Sequence, residues 1–549
     1  MKQSSSNRPD ALQQVFEYHQ ATKHYQHRSA SGPGYLDWAS QPDPFRRYEG
    51  AKLIALEKIT PTDEPRYDDA FQAGRIAPAR VNLRSISQLF FDSLAISAWK
   101  SVGDVSWALR VNPSSGNLHP TEGYLICGPV EGLSDKGVVC HYAPKEHGLE
   151  LRAEFESELW EKLCARLPKE TLLIALTSIH WREAWKYGHR AYRYCQHDAG
   201  HAIGAMSVAA AGLGWKTKIL DGLSTNDLAS ITGTFRVHEA EPEEPDLLIA
   251  VGPFAEEISQ TALPEDIIHA FKSLDWRGSP NQLSKSHVEW GMEEIAAAAR
   301  KPTGAGQFEN FQSSPEPESL EVRPVSLRRI IHQRRSAVAM DGHTRIPQET
   351  FYRILQRTLA TPGNPPFSAL PWKPRIHLAI FVHRVDDLPS GLYILVRDPS
   401  QRESLESTFT QADLWHRPAG CPQQLELYCL IETEAGEAAR QISCFQEIAR
   451  DGCFSLGMIA EYEDALERYG AWFYPRLFWE AGVIGQMLYL EAEAAGIRST
   501  GIGCYFDDPM HEILGLKDRK YQDLYHFTVG GAIDDTRLTT LSAYPDEQR

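Results

Sequence analysis

WKYGHRAYRYCQHDAGHAIGAMSVAAAGLG (residues 185–214) and ERYGAWFYPRLFWEAGVIGQMLYLEAEAAG (residues 467–496) are two versions of one segment. At one fixed offset they align without a gap. Tyr187 falls on Tyr469, Gly188 on Gly470, Tyr192 on Tyr474, Gly200 on Gly482 and Gly214 on Gly496. The polar positions diverge: Lys186 faces Arg468, and His201 faces Val483. Register kept at small residues and lost at polar ones predicts a duplicated fold in which one of two related sites works. Each copy carries a long helix, expected over residues 198–213 and 480–495 and stopped by a glycine.

The pattern outward from these helices agrees. Short apolar runs at 123–128, 171–179 and 246–252 read as strands of the first half, and those at 375–382, 425–432 and 524–531 as strands of the second. Residues 137–151 and 391–405 each read as strand, turn and strand. A helix is expected over 85–100, with Ser85 or Ser87 as its cap, and another before the basic loop at Arg334. Residues 1–75 read as an extended polar arm, 76–274 as a first domain, 275–320 as a Gly-, Pro- and Ser-rich linker and 321–549 as a second domain.

The chain has 549 residues, more than one core accommodates. Its formal charge of −17 repels phosphate backbones and anionic lipid surfaces, which argues against nucleic-acid and membrane binding. No apolar stretch is long enough to span a bilayer, and the N-terminus lacks a hydrophobic signal core. The nine cysteines are scattered without a CxxC pair. Reduced thiols in a cytoplasm, with neither a metal site nor a disulfide framework, are therefore expected.

Four motifs carry chemistry. PSSGN puts Pro113, Ser114, Ser115 and Asn117 on a tight turn, and small polar side chains there suit the edge of a heteroaromatic cofactor. Arg334, Arg335 and Ser336 pair two guanidinium groups with a hydroxyl, good chemistry for a terminal phosphate. Gly501, Ile502 and Gly503 leave backbone amides open to a flat ligand. Lys186 beside Tyr187 makes a proton-handling pair in which the ammonium favours the phenolate, provided the helix breaks at Gly188 so that both side chains reach one place.

Together these motifs resemble those of the nitroreductase-like flavoenzymes, specifically the SagB-type dehydrogenase branch, over about residues 80–253 and 326–537. The resemblance implies an α+β fold: two nitroreductase-like domains, each a mainly antiparallel sheet flanked by helices, fused as a pseudo-two-fold dimer. It implies FMN held in the seam, its phosphate on Arg334, Arg335 and Ser336 with Arg537 as a further candidate. The Gly501–Gly503 loop and the partner half's PSSGN loop would face its ring. It implies catalysis by Lys186 and Tyr187 on an azoline-like heterocycle or peptide-like substrate, with hydride transfer to flavin. The alternatives are an NAD(P)H-dependent nitro or quinone reductase, and a non-catalytic flavin-binding scaffold of a biosynthetic complex. The mirror site would combine residues 83–87 and 215–222 with residues 361–364, Arg468 and Tyr469, and is expected to be degenerate.

Overall fold

The computed structural model describes residues 10–236, 241–254, 258, 263–306, 308, 323–361 and 363–545. Two antiparallel sheets organise it. In the first lobe the strands lie in the order Lys52–Ala55, Gly148–Phe155, Gly137–Ala143, Thr121–Cys127, Leu172–Ser178, Glu244–Gly252 and Lys216–Ile219. In the second the order is Leu427–Glu432, Gly391–Leu395, Ile376–Val382, Phe454–Glu461, Tyr521–Gly530 and Arg498–Ile502. Apart from the extra edge strand Lys52–Ala55, both sheets follow one strand order. This is an α+β fold of two similar lobes, each an antiparallel sheet flanked by helices.

The two repeat helices, Ala191–Ala211 and Tyr474–Ala494, lie side by side between the sheets. Every residue of the first is buried. They meet at the paired glycines of the repeat. A Cβ on Gly200 would stand 2.8 Å from the Cα of Gly482, and one on Gly482 would stand 2.7 Å from the Cα of Gly200. No side chain fits there, which is why the small residues held register. The repeat mates Tyr192 and Tyr474 also face each other, with centroids 6.5 Å apart and planes 4° from parallel. One apolar core runs through both lobes around these helices, and smaller cores lie behind each sheet.

Several segments differ from the sequence reading. The helix expected over 85–100 is Leu83–Phe91, and Ile96–Val102 is a strand. Asn82, not a serine, caps it: its side chain accepts from the Ser85 amide while Ser85 Oγ accepts from the Asn82 amide. The strand pairs with Val105–Arg110 across a turn at Gly103 (φ 55°). Residues 391–405 end in a helix, Arg402–Thr408, because Asp398 accepts from the Ser400 amide and starts a helical turn at Pro399. The central strand Phe454–Glu461 was not anticipated, although it is the repeat mate of Leu172–Ser178. The first 75 residues are more than an extended arm: Ala11–Ala21 is a helix with Val15, Phe16 and Tyr18 buried, and Lys52–Ala55 joins the first sheet. Within the linker expected over 275–320, Met292–Ala298 is a helix, while residues 307 and 309–322 lie outside the described residues. No helix among the described residues is long and apolar enough to cross a membrane.

The Cterminal segment crosses the seam. Thr539–Leu541 pairs with Ile96–Val102, and Trp99 Nε1 donates to the carbonyl of Ala543 at 3.0 Å. At the opposite end Arg190 and Arg193 of the first lobe both pair with the buried Asp507 of the second, at 3.0 and 2.8 Å, and the His24 amide adds a third donor at 2.9 Å.

Because the glycine contact sets how closely the lobes approach, Gly200→Val and Gly482→Val should each destabilise the fold by about 1–3 kcal/mol, the range for overpacking a tight core. Urea denaturation reads this as a lower midpoint; unchanged midpoints would show that the helices do not meet there.

Candidate active site

The first lobe contributes the loop between Val105–Arg110 and Thr121–Cys127. It contains three left-handed residues, Gly116 (φ 58°), Asn117 (φ 60°) and His119 (φ 53°). Side chains hold that shape: Asn117 Nδ2 donates to the Ala108 carbonyl at 2.9 Å, and the His119 amide to Ser114 Oγ at 2.8 Å. Asp198 of the first central helix fastens the loop from below, accepting from the Ser115 amide at 3.0 Å and from Ser115 Oγ at 3.1 Å.

The helix His180–Tyr187 arrives beside this loop and stops there, with Gly188 at φ 57°. The break brings neighbouring residues to one place. Where Gly116 has no side chain, a Cβ would lie 2.6 Å from Tyr187 Oη and 3.0 Å from Lys186 Nζ. Burial pushes the Tyr187 phenol well above its ordinary pKa. The phenol is therefore held neutral, in contrast to the phenolate expected from its lysine neighbour.

Two buried carboxyls lie beneath, and sequence reading missed both. Glu183 precedes Lys186 by one helical turn; neither of its oxygens has a hydrogen-bond partner of ordinary geometry among the described residues. Burial, then the charge of Asp198, lift its pKa well above the carboxylate range, so it is held as a neutral acid. Burial also raises Asp198, to about 7, against the hydrogen bonds of Ser114 and Ser115 that pull it down. A signal existed for Asp198: it aligns with Glu480, an acid in both copies.

The second lobe supplies the helix Leu327–Gln333, capped by Ser326, and then Arg334, Arg335 and Ser336. Arg334 is buried over the Tyr489 ring, 5.0 Å from its centroid, and donates to the Arg110 carbonyl at 3.2 Å. Arg335 donates to the backbone carbonyls of His332 and Arg334, at 2.8 and 2.7 Å. Among the described residues neither arginine forms a salt bridge. Burial, with Arg334 alongside, pushes Arg335 down to about 10. Two adjacent guanidinium groups outside any salt bridge have the chemistry to hold an anion, and the Glu493 carboxyl is the acid that acts on both. Ser336 Oγ lies 2.8 Å from Tyr489 Oη.

Gly501 and Ile502 lie on the edge strand Arg498–Ile502, not on a free loop. The glycines also have a reason other than ligand approach. A Cβ on Gly501 would strike Tyr525 Oη, and one on Gly503 would lie 2.6 Å from the Tyr194 ring. They make room for a tyrosine wall that the sequence did not reveal.

These parts surround one cavity of about 860 Å³ in the seam. Pro113, Ser114, Ser115, Asn117, Tyr187, Arg334, Arg335, Ser336, Gly501, Ile502 and Gly503 all line it. Lys186 stands beside the lining. Arg537 does not join it: its exposed guanidinium is paired with Asp535 at 2.7 Å. Five buried polar atoms on lining residues lack a hydrogen-bond partner among the described residues, namely Arg110 Nε, Asn112 Oδ1, His119 Nδ1, His201 Nδ1 and Arg334 Nε.

The position related by the repeat is built differently. Gly503 corresponds to Asp221 and Tyr194 to Arg476. In place of a glycine against a ring there is a buried ion pair, Arg476 Nε donating to Asp221 at 2.8 Å, with Lys301 Nζ 2.9 Å from the same carboxylate. Phe308 packs among Trp372, Tyr469, Trp472 and Phe473, with centroids 5.4–6.2 Å apart. Arg84 is exposed and paired with Glu57. Pro362, in the turn expected to serve this position, lies outside the described residues.

Residues 100–252 match the nitroreductase family. Comparison with curated protein sequences finds no match. Among solved structures, one from Anabaena variabilis assigned as a nitroreductase is similar over 96% of this chain and 100% of its own, at 20% identity and a TM-score of 0.71. A Ralstonia eutropha protein with the same assignment covers 41% of this chain and 98% of its own, at 16% identity and a TM-score of 0.27. A chain of the E. coli microcin synthetase McbBCD complex with truncated pro-MccB17 covers 46% and 95%, at 18% identity and 0.28. The full-length likeness establishes a shared two-lobed fold.

The Asp198 carboxyl gives a pH signature. Its pKa when folded, about 7, lies above the value of about 4 usual for an unfolded aspartate. The folded state therefore binds the extra proton between those values, and its stability falls as pH rises through that window. The melting temperature of Asp198→Asn relative to wild type should climb from about pH 4 and level off above about pH 7; parallel curves across that range would contradict the assignment.

Proposed function

We propose that the chain is an FMN-dependent oxidoreductase of the SagB type, a tandem duplicate whose single working site dehydrogenates an azoline-like heterocycle or a peptide-like substrate in the cytoplasm. The observation that carries this reading is the division of labour in the seam cavity: two guanidinium groups outside any salt bridge among the described residues on one lobe, Lys186 and Tyr187 on the other. Arg334, Arg335 and Ser336 would hold the phosphate. The Ser114–Asn117 turn, with the unpartnered atoms of Asn112 and His119, would receive the polar edge of the ring. When bound, FMN would supply two-electron redox chemistry.

The chain's own residues manage the accompanying proton. Tyr187 Oη and Lys186 Nζ converge at Gly116, on the cavity wall. The neutral phenol of Tyr187 can give a proton, and Lys186 can exchange one with it or with substrate. Glu183, itself a neutral acid, holds a further proton one turn away. The tyrosine wall of Tyr194, Tyr489 and Tyr525 limits water on the opposite side.

The purified protein should be yellow, with one FMN per chain because the related position is filled by side chains. Arg334→Ala and Arg335→Ala should each weaken FMN binding about tenfold or more, as expected for loss of a charge-assisted hydrogen bond. Lys186→Ala and Tyr187→Phe should keep the flavin spectrum and lose turnover. Anaerobic mixing then separates substrate classes: bleaching by an azoline supports the dehydrogenase, rapid bleaching by NADPH alone the reductase. A colourless protein that takes up no FMN would refute the cofactor assignment.

A further inference from the structure

Cys444 and Cys504 are 60 residues apart in sequence, yet their Sγ atoms are 2.9 Å apart. Cys504 follows the Gly501–Gly503 strand, lines the seam cavity and is the one exposed cysteine of the nine. Cys444 follows the helix Gly436–Ile442. Here the backbone takes a costly path: Cys444 and Phe445, neither a glycine, are both left-handed, at φ 54° and 58°. That path aims the Cys444 side chain at Cys504. Polar contacts fix the two loops together. Gln446 Nε2 donates to the carbonyls of Ser443 and Cys504, each at 2.8 Å, and the Phe506 amide to the Ile442 carbonyl at 2.7 Å. Phe445 packs on Phe506 with centroids 5.6 Å apart.

The two thiols are unequal. Contact with the Cys444 thiol brings Cys504 down to about 7, burial opposing and the nearby Arg190 guanidinium assisting. Cys444, half-buried, is pushed up by the same contact and by burial. An accessible thiol inclined to ionise, next to a sheltered partner, is the arrangement of an attacking and a resolving cysteine. Nothing in the proton chemistry of Lys186 and Tyr187 uses them.

We propose that Cys444 and Cys504 are a reversible dithiol–disulfide site on the rim of the cavity, oxidised by low-molecular-weight disulfides such as glutathione disulfide. The Cys504 thiolate attacks one sulfur of glutathione disulfide, forming a mixed disulfide and releasing one glutathione thiolate. The Cys444 thiolate then attacks the Cys504 sulfur, forming the Cys444–Cys504 bond and releasing the second glutathione. The protein loses two hydrogens, and one glutathione disulfide becomes two glutathiones. The bond would pin the wall carrying Gln446 and Cys504. Bridging asks the sulfurs to approach by only about 1 Å, given the usual bond length.

The full-length protein, with or without bound cofactor, is incubated with glutathione disulfide, trapped with an alkylating reagent and analysed by intact mass and peptide mapping. The expected result is loss of two hydrogens, a linked peptide containing Cys444 and Cys504, and reversal by dithiothreitol. Cys444→Ser should stall at one glutathionyl group on Cys504, and Cys504→Ser should carry none on Cys444. An unchanged wild-type mass, a bridge between other cysteines, or a Cys444→Ser chain without the adduct would overturn the proposal.

Discussion

The contact between Gly200 and Gly482 governs the molecule. A glycine inside a helix costs about 1 kcal/mol relative to alanine, and this chain carries one at the crossing point of each central helix. In return the backbones touch, and the lobes share one core rather than meeting across a conventional interface. Close approach has a chemical consequence. Polar residues of the first central helix are brought against the last two strands of the opposite sheet, with the Tyr194 ring beside Gly503 and His201 Nε2 3.1 Å from Tyr525 Oη.

The same crossing generates two related positions, and small substitutions decide which one is open. On one side Gly503 faces Tyr194; on the other Asp221 faces Arg476. A glycine beside a ring leaves volume and unpaired donors. An aspartate beside an arginine closes on itself, and Lys301 completes the charge balance. Two arginines outside any salt bridge among the described residues stand at one position, whereas Arg84, nearest in sequence at the other, is turned to solvent with Glu57. The two lobes thus share one frame, and side-chain identity makes its two related positions different.

Much of this was legible in the chain because the decisive features are local or repeated. The ungapped alignment located the central helices, and the turn at Pro113–Asn117, the arginine pair and the glycine strand were visible as short motifs. What escaped depends on partners distant in sequence. Tyr489 and Tyr525 read as ordinary core residues until Gly501 and Ser336 are placed beside them. Glu183 gains meaning only from Asp198 and the loop above. The strand Phe454–Glu461 has no period of its own, being buried on both faces, though its repeat mate foretold it. Arg537 was misjudged because an aspartate two residues away captures it. The hydrophobic stripe over 85–100 suited a helix, but the turn at Gly103 recruits its second half into a hairpin.

We propose that a single flavin binds in the seam, gripped from both lobes. Hydrogen exchange with and without added FMN tests it most directly. The account predicts slowed exchange at residues 112–119 of one lobe together with 334–336 and 498–504 of the other, and no change at 216–221 or around Asn364. Protection confined to one lobe, or appearing at the related position, would contradict it.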